Sequence, residues 1–305
     1  MPRAHSPKKG TMQFWPRKRA RRIFPRIKNW PKLSKSKLLG FIGYKAGMTH
    51  IQYYDNKPTS LTKNQIVTIP VTILECPSIK AHSLRFYKKT DYGIKIISEI
   101  KNINEKIPEN FDDIKLIINT QPSLTGIGKK VPEVLEMGLS GNKDEKFILA
   151  KELLGKEIKI SDVFKEGQFI DIHAVTQGKG FQGAVKRFGV KIRQHKSEKT
   201  KRGTGSLGAW TPKKVLFSVP MPGKMGYHTR TEFNKWLLKI GNDPKNIAIK
   251  GGLLHYGLIK NNYILVKGSV PGPVKRPIIL TEPIRQLKKI PPLPEITYIS
   301  LESKQ

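Results

Sequence analysis

The sequence predicts a mainly β fold, in which a closed antiparallel barrel is interrupted by an α+β insert. Short apolar runs, separated by Gly, Pro and Asn, recur on both sides of residues 91–166, as small barrels require. The helices that would connect parallel strands are missing between these runs. Charge is also segregated, because residues 91–166 carry a net charge of −2 and the remainder about +36.

Residues 1–38 form a basic N-terminal extension. They contain 13 Lys and Arg residues and no acidic residue. Pro16, Pro25 and Pro31 exclude a long helix. We therefore expect an extended segment that becomes ordered against a partner.

The first part of the barrel is expected in residues 39–90, and the insert in residues 91–166. The barrel runs are LLGFIGYKAG, THIQYYD and IVTIPVTILE. In the insert, GIKIISEIKNI and DDIKLIIN are typical of strands, and NKDEKFILAKELL predicts a helix between Asn142 and Gly155. Since the insert holds 14 of the 23 carboxylates, it is interpreted as a self-contained, solvated unit without a site.

The barrel is expected to resume in residues 167–175 and to be completed in residues 232–285. Its later runs are QFIDIHAV, NKWLLKIG, GGLLHYGLIKNNYILVKGSV and RPIILTEP. Residues 286–305 include three prolines and are predicted to form a docked C-terminal tail.

Residues 176–231 form a long basic loop with 13 Lys and Arg residues against the single carboxylate of Glu198. A loop of this length is normally functional or disordered. Its glycines permit close approach to a sugar–phosphate backbone, its cations neutralise phosphates, and its aromatic rings can stack on bases. These rings belong to Phe181, Phe188, Trp210 and Tyr227. A disordered basic linker is the alternative, which four aromatic residues disfavour.

A dinucleotide-binding site is another interpretation of this loop. Gly178, Gly180 and Gly183 follow an apolar run with G-x-G-x-x-G spacing. However, only AVKRF separates Gly183 from Gly189, which is too short for the crossover helix, and GTGSLG repeats the pattern without a preceding strand. We therefore interpret the glycines as serving RNA phosphates.

The sequence offers no catalytic or metal-binding constellation. Cys76 is the only cysteine, and neither His195 nor His228 has a carboxylate or cysteine at triad or ligand spacing beside it. Asp171 is the only aspartate near the start of the loop. We expect a non-enzymatic protein without cofactor, metal or small-molecule substrate. With no apolar run of about 18 residues, it is also expected to be soluble, not exported and not bound to a membrane.

Six motifs, spread over about 240 residues, resemble one family. They are GFIGYKAGMTH, IPVTILE, VTQGKGFQGAVKRFGVK, KTKRGTGSLGAWTP, PGKMGYHTRTEFN and KGSVPGPVKRP. Their order is similar to that in the universal large-subunit ribosomal protein family "L-three", in its archaeal or eukaryotic form. The length of 305 residues favours the archaeal form.

The resemblance implies a six-stranded barrel of the translation-protein type, with a long RNA-penetrating loop and N-terminal arm. It implies a cytoplasmic structural constituent of the large ribosomal subunit that contacts neighbouring ribosomal proteins. This protein would bind large-subunit RNA near its 3′ end, promote assembly and extend its loop toward the peptidyl transferase centre. A general basic nucleic-acid-binding protein that acts outside the ribosome, such as a DNA-compacting protein, is the alternative.

The expected RNA-binding residues lie in the N-terminal extension, the long loop and one later turn, and Trp210 is expected at the loop tip. They are Arg17, Lys18, Arg19, Arg21, Arg22, Lys179, Phe181, Gln182, Lys186, Arg187, Lys199, Lys201, Arg202, Trp210, Lys213, Lys214, Lys224, His228, Arg230, Lys275 and Arg276.

Overall fold

Strands dominate the fold, which confirms the predicted mainly β class. The computed structural model describes residues 9–10, 12–102, 105–197, 199–287 and 290–303. The described residues form fourteen strands and three α-helices. In chain order these are β1 (Gly40–Tyr54), β2 (Ile66–Glu75), β3 (Ile79–Thr90), β4 (Gly93–Ile100), β5 (Asp113–Asn119), β6 (Val134–Gly138), α1 (Lys143–Leu153), β7 (Glu157–Ile158), α2 (Ile160–Val163), β8 (Phe169–Val175), β9 (Phe181–Gln182), α3 (Ala184–Phe188), β10 (Gly223–Lys224), β11 (Thr229–Gly241), β12 (Tyr263–Lys267), β13 (Pro277–Thr281) and β14 (Glu295–Ile299). Short 3₁₀ turns occur at Pro122–Leu124 and Pro244–Ile247.

The chain divides into two units. The sheet unit comprises Ile23–Ala174 and Arg230–Gln305, and the basic unit comprises Met1–Arg22 and Val175–Thr229. Each unit is thus built from two separate stretches of sequence. No helix in the described part of the chain combines the length and apolar character needed to cross a bilayer.

A seven-stranded sheet forms the centre of the sheet unit. Its strand order is β13-β8-β11-β12-β2-β1-β14, and β13 also pairs with β1. The pairings of β1 with β2, β13 and β14 are antiparallel, as are those of β12 with β2 and β11 and that of β13 with β8. Strand β1 can hold three partners because it is 15 residues long and changes register between Lys45 and Gly47.

Both faces of this sheet are buried, and alternation along the strands assigns neighbouring residues to different cores. In β2, Ile73 belongs to one apolar cluster and Leu74 to the other. In β12, Leu265 and Ile264 divide in the same way. This period of two explains why β12 is apolar from Tyr263 to Val266, since the strand must supply two cores.

A second, five-stranded sheet has the order β4-β3-β5-β6, with β7 paired to β3. Helix α1 begins and ends where the sequence predicted. The Glu145 carboxylate accepts a hydrogen bond from the Asn142 N–H at 3.2 Å, and Gly155 has a φ of +77° beyond the C-terminus.

The structure differs from the expected self-contained insert over residues 91–166 in two respects. Strand β3, assigned by sequence to the barrel, pairs with β4 and β5 of the second sheet. Moreover, Phe86 and Leu116 of the second sheet share one apolar cluster with Phe41 of the first. The segment's near-neutral charge therefore reflects an exposed outer surface but does not indicate a separate core.

Burial of His173 predicts a pH-dependent stability of the sheet unit. Its ring nitrogens lie 2.9 Å from the Thr231 hydroxyl and 3.1 Å from the Thr281 hydroxyl. Burial lowers the pKa of His173, although Asp171 opposes this effect. Because the unfolded histidine takes up a proton near pH 6.5 and the folded one does not, the stability it contributes is present above about pH 6.5 and is lost as pH falls below it.

We expect His173→Gln to reduce the dependence of the unfolding free energy on pH between 7 and 5, by up to about 1.4 kcal/mol per pH unit. Glutamine retains hydrogen-bonding groups but does not titrate. Denaturant unfolding at several pH values, monitored by tryptophan fluorescence, measures this difference. Equal slopes for the two proteins would contradict the assignment to His173.

Candidate nucleic-acid interface

The basic unit concentrates positive charge at its surface. It contains 20 Lys and Arg residues, and its one carboxylate is that of Glu198, which lies outside the described residues. Of the described residues in 175–229, Val175, Ala184 and His228 are the buried ones. The unit therefore combines a high net charge with a very small core, and it requires polyanionic surroundings to offset its self-repulsion.

The two ends of the long loop are held together as a short ladder. Strand β9 pairs with β10, matching Phe181 with Lys224. Toward the base of the loop, the Lys179 N–H donates to the Met225 carbonyl at 2.8 Å, and the Thr176 N–H donates to the His228 carbonyl at 2.9 Å. The loop thus begins as an antiparallel hairpin.

Helix α3 sits directly after β9 and links the two limbs. It begins after Gly183 and ends at Gly189, whose φ of +66° terminates the helix. The Arg187 side chain donates hydrogen bonds to the carbonyls of Met221 at 2.9 Å and Lys224 at 3.1 Å. Burial lowers the pKa of Arg187. Arg187, expected to contact RNA, thus has a structural role within the unit.

The N-terminal segment packs along this hairpin. The Ala20 N–H donates to the Tyr227 carbonyl at 2.8 Å, and Nδ1 of His228 lies 2.8 Å from the Lys18 carbonyl. Since a carbonyl only accepts, Nδ1 must carry the proton. His228 is 8% exposed. Its main contact in the structure is therefore the N-terminal backbone.

An aromatic cluster joins the same two parts of the chain. Trp15 stacks on Phe188 with ring centroids 6.4 Å apart, and meets the edge of Phe217 at 5.8 Å. The Arg17 guanidinium lies 4.2 Å from the Phe188 ring centroid. Phe188 was a candidate for base stacking, but it packs on the protein's own side chains. Sequence reasoning missed this cluster because Trp15 and Arg17 lie more than 170 residues before the two phenylalanines.

The outer part of the loop is held by hydrogen bonds to backbone carbonyls. Arg193 donates to the Thr204 carbonyl at 2.9 Å, and the Thr204 hydroxyl donates to the Pro220 carbonyl at 3.0 Å. Beyond them, the Lys213 N–H donates to the Trp210 carbonyl at 2.8 Å. The Trp210 side chain is 83% exposed. An indole exposed to this degree is available for stacking on a partner.

Eighteen of the expected RNA-binding residues lie in the basic unit, whereas Arg230, Lys275 and Arg276 lie in the sheet unit. Fourteen of the eighteen are exposed, Arg17, Gln182 and Arg187 are half-buried, and His228 is buried. The exposed ones are Lys18, Arg19, Arg21, Arg22, Lys179, Phe181, Lys186, Lys199, Lys201, Arg202, Trp210, Lys213, Lys214 and Lys224.

The described residues contain no group of three or more His, Cys, Asp or Glu side chains arranged to hold a metal ion. Asp171, the aspartate considered for a catalytic triad, accepts backbone hydrogen bonds from Asn234 at 2.8 Å and Ile284 at 2.9 Å. Burial raises the pKa of the Cys76 thiol, which disfavours the reactive thiolate. The Asp171 carboxylate thus has a structural role in the sheet unit, and Cys76 is a buried residue of the same unit.

The chain matches the family model described as "Ribosomal protein L3" over residues 1–112 and 99–305. It is similar to the "Large ribosomal subunit protein uL3" of Methanothermobacter thermautotrophicus, with 44% identity over 100% of this chain and 99% of the relative. The protein with that name in Methanosphaera stadtmanae is 45% identical over the same shares. The one in Methanocaldococcus jannaschii is 44% identical over 98% of this chain and 97% of the relative. These relatives are archaeal, as the resemblance predicted, and the chain belongs to the ribosomal protein L3 family.

Proposed function

We propose that this protein is a structural, non-enzymatic constituent of the large ribosomal subunit that binds large-subunit RNA through its basic unit. The observation that carries the proposal is the basic unit itself, in which 20 cations accompany one carboxylate. Hydrogen bonds and ring contacts position the N-terminal segment against the loop. The exposed cations are consequently presented as one surface and not as independent tails.

We infer the finer role from what the resemblance to this family implies. The protein binds near the 3′ end of large-subunit RNA, promotes subunit assembly in the cytoplasm, and is surrounded by other ribosomal proteins. Its loop extends toward the peptidyl transferase centre, with Trp210 at the tip. The sheet supports a six-stranded barrel of the translation-protein type, since the pairing of β13 with β1 joins the ends of the path through β8, β11, β12 and β2.

Binding to large-subunit RNA is expected to depend steeply on salt. A protein that neutralises six to ten phosphates loses about 10³–10⁵ in affinity between 50 and 200 mM salt. We expect a loss of this size for the full-length protein on a large-subunit RNA transcript, measured by filter binding at several salt concentrations. A slope that corresponds to one or two released counterions would contradict an extensive phosphate footprint.

Charge-matched variants locate the footprint. The triple substitution of Lys199, Lys201 and Arg202 by Gln removes three exposed cations from the basic unit and should lower the salt slope by about three. The same substitution at Lys95, Lys101 and Lys106 removes three exposed cations from the near-neutral segment and should leave it unchanged. Equal effects would mean that the charge acts non-specifically. Equal affinity for structured RNA and duplex DNA would favour a general nucleic-acid-binding protein acting outside the ribosome.

A further inference from the structure

A cavity of about 450 Å³ lies entirely within the basic unit. Its size is within the range of about 300–1,000 Å³ that is typical of pockets for small molecules. It is formed where the N-terminal segment passes the base of the loop. Its lining includes Arg19, Arg21, Gly178, Phe181, Lys224 and Gly226.

Backbone forms one wall of this cavity. Gly226 has a φ of +76°, and a Cβ atom there would lie 1.9 Å from the Gln177 carbonyl oxygen, so that only glycine fits. Gly178 and Gly180 line the same cavity. Since Gly178 and Gly180 carry no side chain, a flat ligand can approach the peptide groups at these two positions closely.

An exposed aromatic ring stands at the cavity. The Phe181 side chain is 73% exposed, and within the described chain it forms no ring–ring or cation–ring contact. This distinguishes it from Phe188, which is covered by Trp15 and Arg17. An exposed phenylalanine that the fold does not use is a stacking surface for a partner.

Positive charge surrounds the same ring. Arg19, Arg21 and Lys224 line the cavity and are exposed. Strand pairing places Lys224 opposite Phe181, which brings an ammonium group and a phenyl ring to the same position along the ladder. A planar apolar surface, peptide groups and three cations are the elements that bind a nucleobase together with its phosphates.

We propose that this cavity holds a single unstacked nucleotide of the bound RNA, with its base against Phe181 and its phosphates near Arg19, Arg21 and Lys224. This inference rests on the proposed RNA-binding function and extends it, since phosphate neutralisation alone requires no cavity. Unpaired nucleotides whose bases can be turned outward are the usual targets of sequence-specific RNA recognition. The basic unit thus reads a particular unpaired position, in addition to binding phosphates.

The test compares full-length variants in equilibrium binding to a large-subunit RNA transcript at several salt concentrations. We expect Phe181→Leu, which retains apolar bulk but cannot stack, to weaken binding about tenfold, and Phe181→Tyr to bind like the wild type. The salt slope should stay unchanged in both, because no phosphate contact is removed. Unchanged affinity for Phe181→Leu, or a loss that appears only as a smaller slope, would overturn the proposal.

Filling the cavity with a larger side chain provides an independent test of the proposal. Gly178 does not have a positive φ, and a Cβ atom there would meet Tyr227 at an ordinary 3.6 Å, so Gly178→Leu adds bulk without backbone strain. Gly126 of the near-neutral segment also lacks a positive φ, and a Cβ atom there would meet the Leu258 carbonyl oxygen at the same distance of 3.6 Å, which makes Gly126→Leu the matched control outside the basic unit. We expect a loss of about tenfold or more for Gly178→Leu and less than twofold for Gly126→Leu. Equal losses would overturn the proposal.

Crosslinking identifies the nucleotide in the cavity and distinguishes failure of the cavity proposal from failure of RNA binding itself. With p-benzoylphenylalanine at position 181, illumination of the complex should crosslink predominantly to one unpaired nucleotide, mapped by reverse transcription. Crosslinks scattered over many positions would overturn the cavity proposal while leaving RNA binding intact. If the wild-type protein shows no salt-dependent RNA binding, the proposed function fails first.

Discussion

Replacement of Glu75 by alanine is expected to lower the free energy of unfolding of the sheet unit by about 3–5 kcal/mol. The carboxylate is fully buried at the end of β2. One oxygen accepts hydrogen bonds from the Lys260 and Asn261 N–H groups, both at 2.9 Å, and from the Asn261 side chain at 2.8 Å. The other accepts the hydroxyl proton of Tyr256. Alanine would leave four donors without this acceptor.

Each buried donor that loses its acceptor costs about 1–3 kcal/mol. The total should remain below four full penalties, because Lys260 and Asn261 are not fully buried and water can reach them. Burial, followed by the charge of Glu75, raises the pKa of Tyr256, so its hydroxyl remains protonated and donates. Glu75 therefore fixes the irregular segment that precedes β12 to the end of β2.

Glu75→Gln is the matched control, since its amide oxygen can still accept the hydrogen bonds of Lys260 and Asn261. We expect less than half of the alanine effect. Guanidinium unfolding monitored by tryptophan fluorescence gives both values, with the denaturant midpoint as the primary measure. A loss below about 1 kcal/mol for Glu75→Ala would show that these donors find other partners.

The hydrogen bonds of Glu75 show which part of the strand assignment could not be predicted from sequence. IVTIPVTILE coincides with β2, because seven of its ten residues are Val, Ile or Thr, a composition typical of strands. GGLLHYGLIKNNYILVKGSV is half apolar, yet only Tyr263–Lys267 forms a strand. The residues before it are held by Glu75, which is about 180 positions away in sequence. Composition cannot reveal such a long-range acceptor.

Strand β14 is a second element whose formation could not be predicted from sequence. The sequence predicts a docked tail, because three prolines precede it and its apolar content is modest. In the structure Glu295–Ile299 pairs with β1, next to the point where β1 shifts its register between Gln52 and Tyr53. Whether the last segment of a chain adds a strand depends on a free sheet edge, which is a tertiary property.

The sequence predicted the charge and the type of ligand of the basic unit, but not the contacts that hold the unit together. Charge and glycine content alone indicated a polyanion-binding loop in residues 176–231. They could not indicate that Arg187 would bind two backbone carbonyls, or that Trp15 would cover Phe188. The first depends on the two limbs of the loop packing against each other, and the second on the N-terminal segment packing against the loop. Basic residues that hold the loop and those that face RNA have the same sequence signature.

Trp210→Ala is expected to slow a step of translation substantially while leaving the protein in the subunit. The indole is 83% exposed, and the Lys213 ammonium lies 5.8 Å from its ring centroid. Stacking of one base on an aromatic side chain contributes about 1–3 kcal/mol, which corresponds to roughly 5- to 150-fold in an equilibrium that depends on it. Under the proposed function most phosphate contacts are expected elsewhere in the basic unit, so incorporation should not depend on this ring.

The effect should therefore be local, at the RNA that we propose the loop tip reaches near the peptidyl transferase centre. Purified large subunits carrying Trp210→Ala should contain the protein at wild-type occupancy but show transfer-RNA accommodation or peptidyl transfer slowed about fivefold or more. Trp210→Phe retains a stacking ring and should recover most of the rate, whereas Leu207→Ala, a truncation of an apolar side chain 41% exposed, should have little effect. If the variant is absent from subunits, Trp210 anchors assembly; if occupancy and both rates are unchanged, the exposed ring has no role in translation.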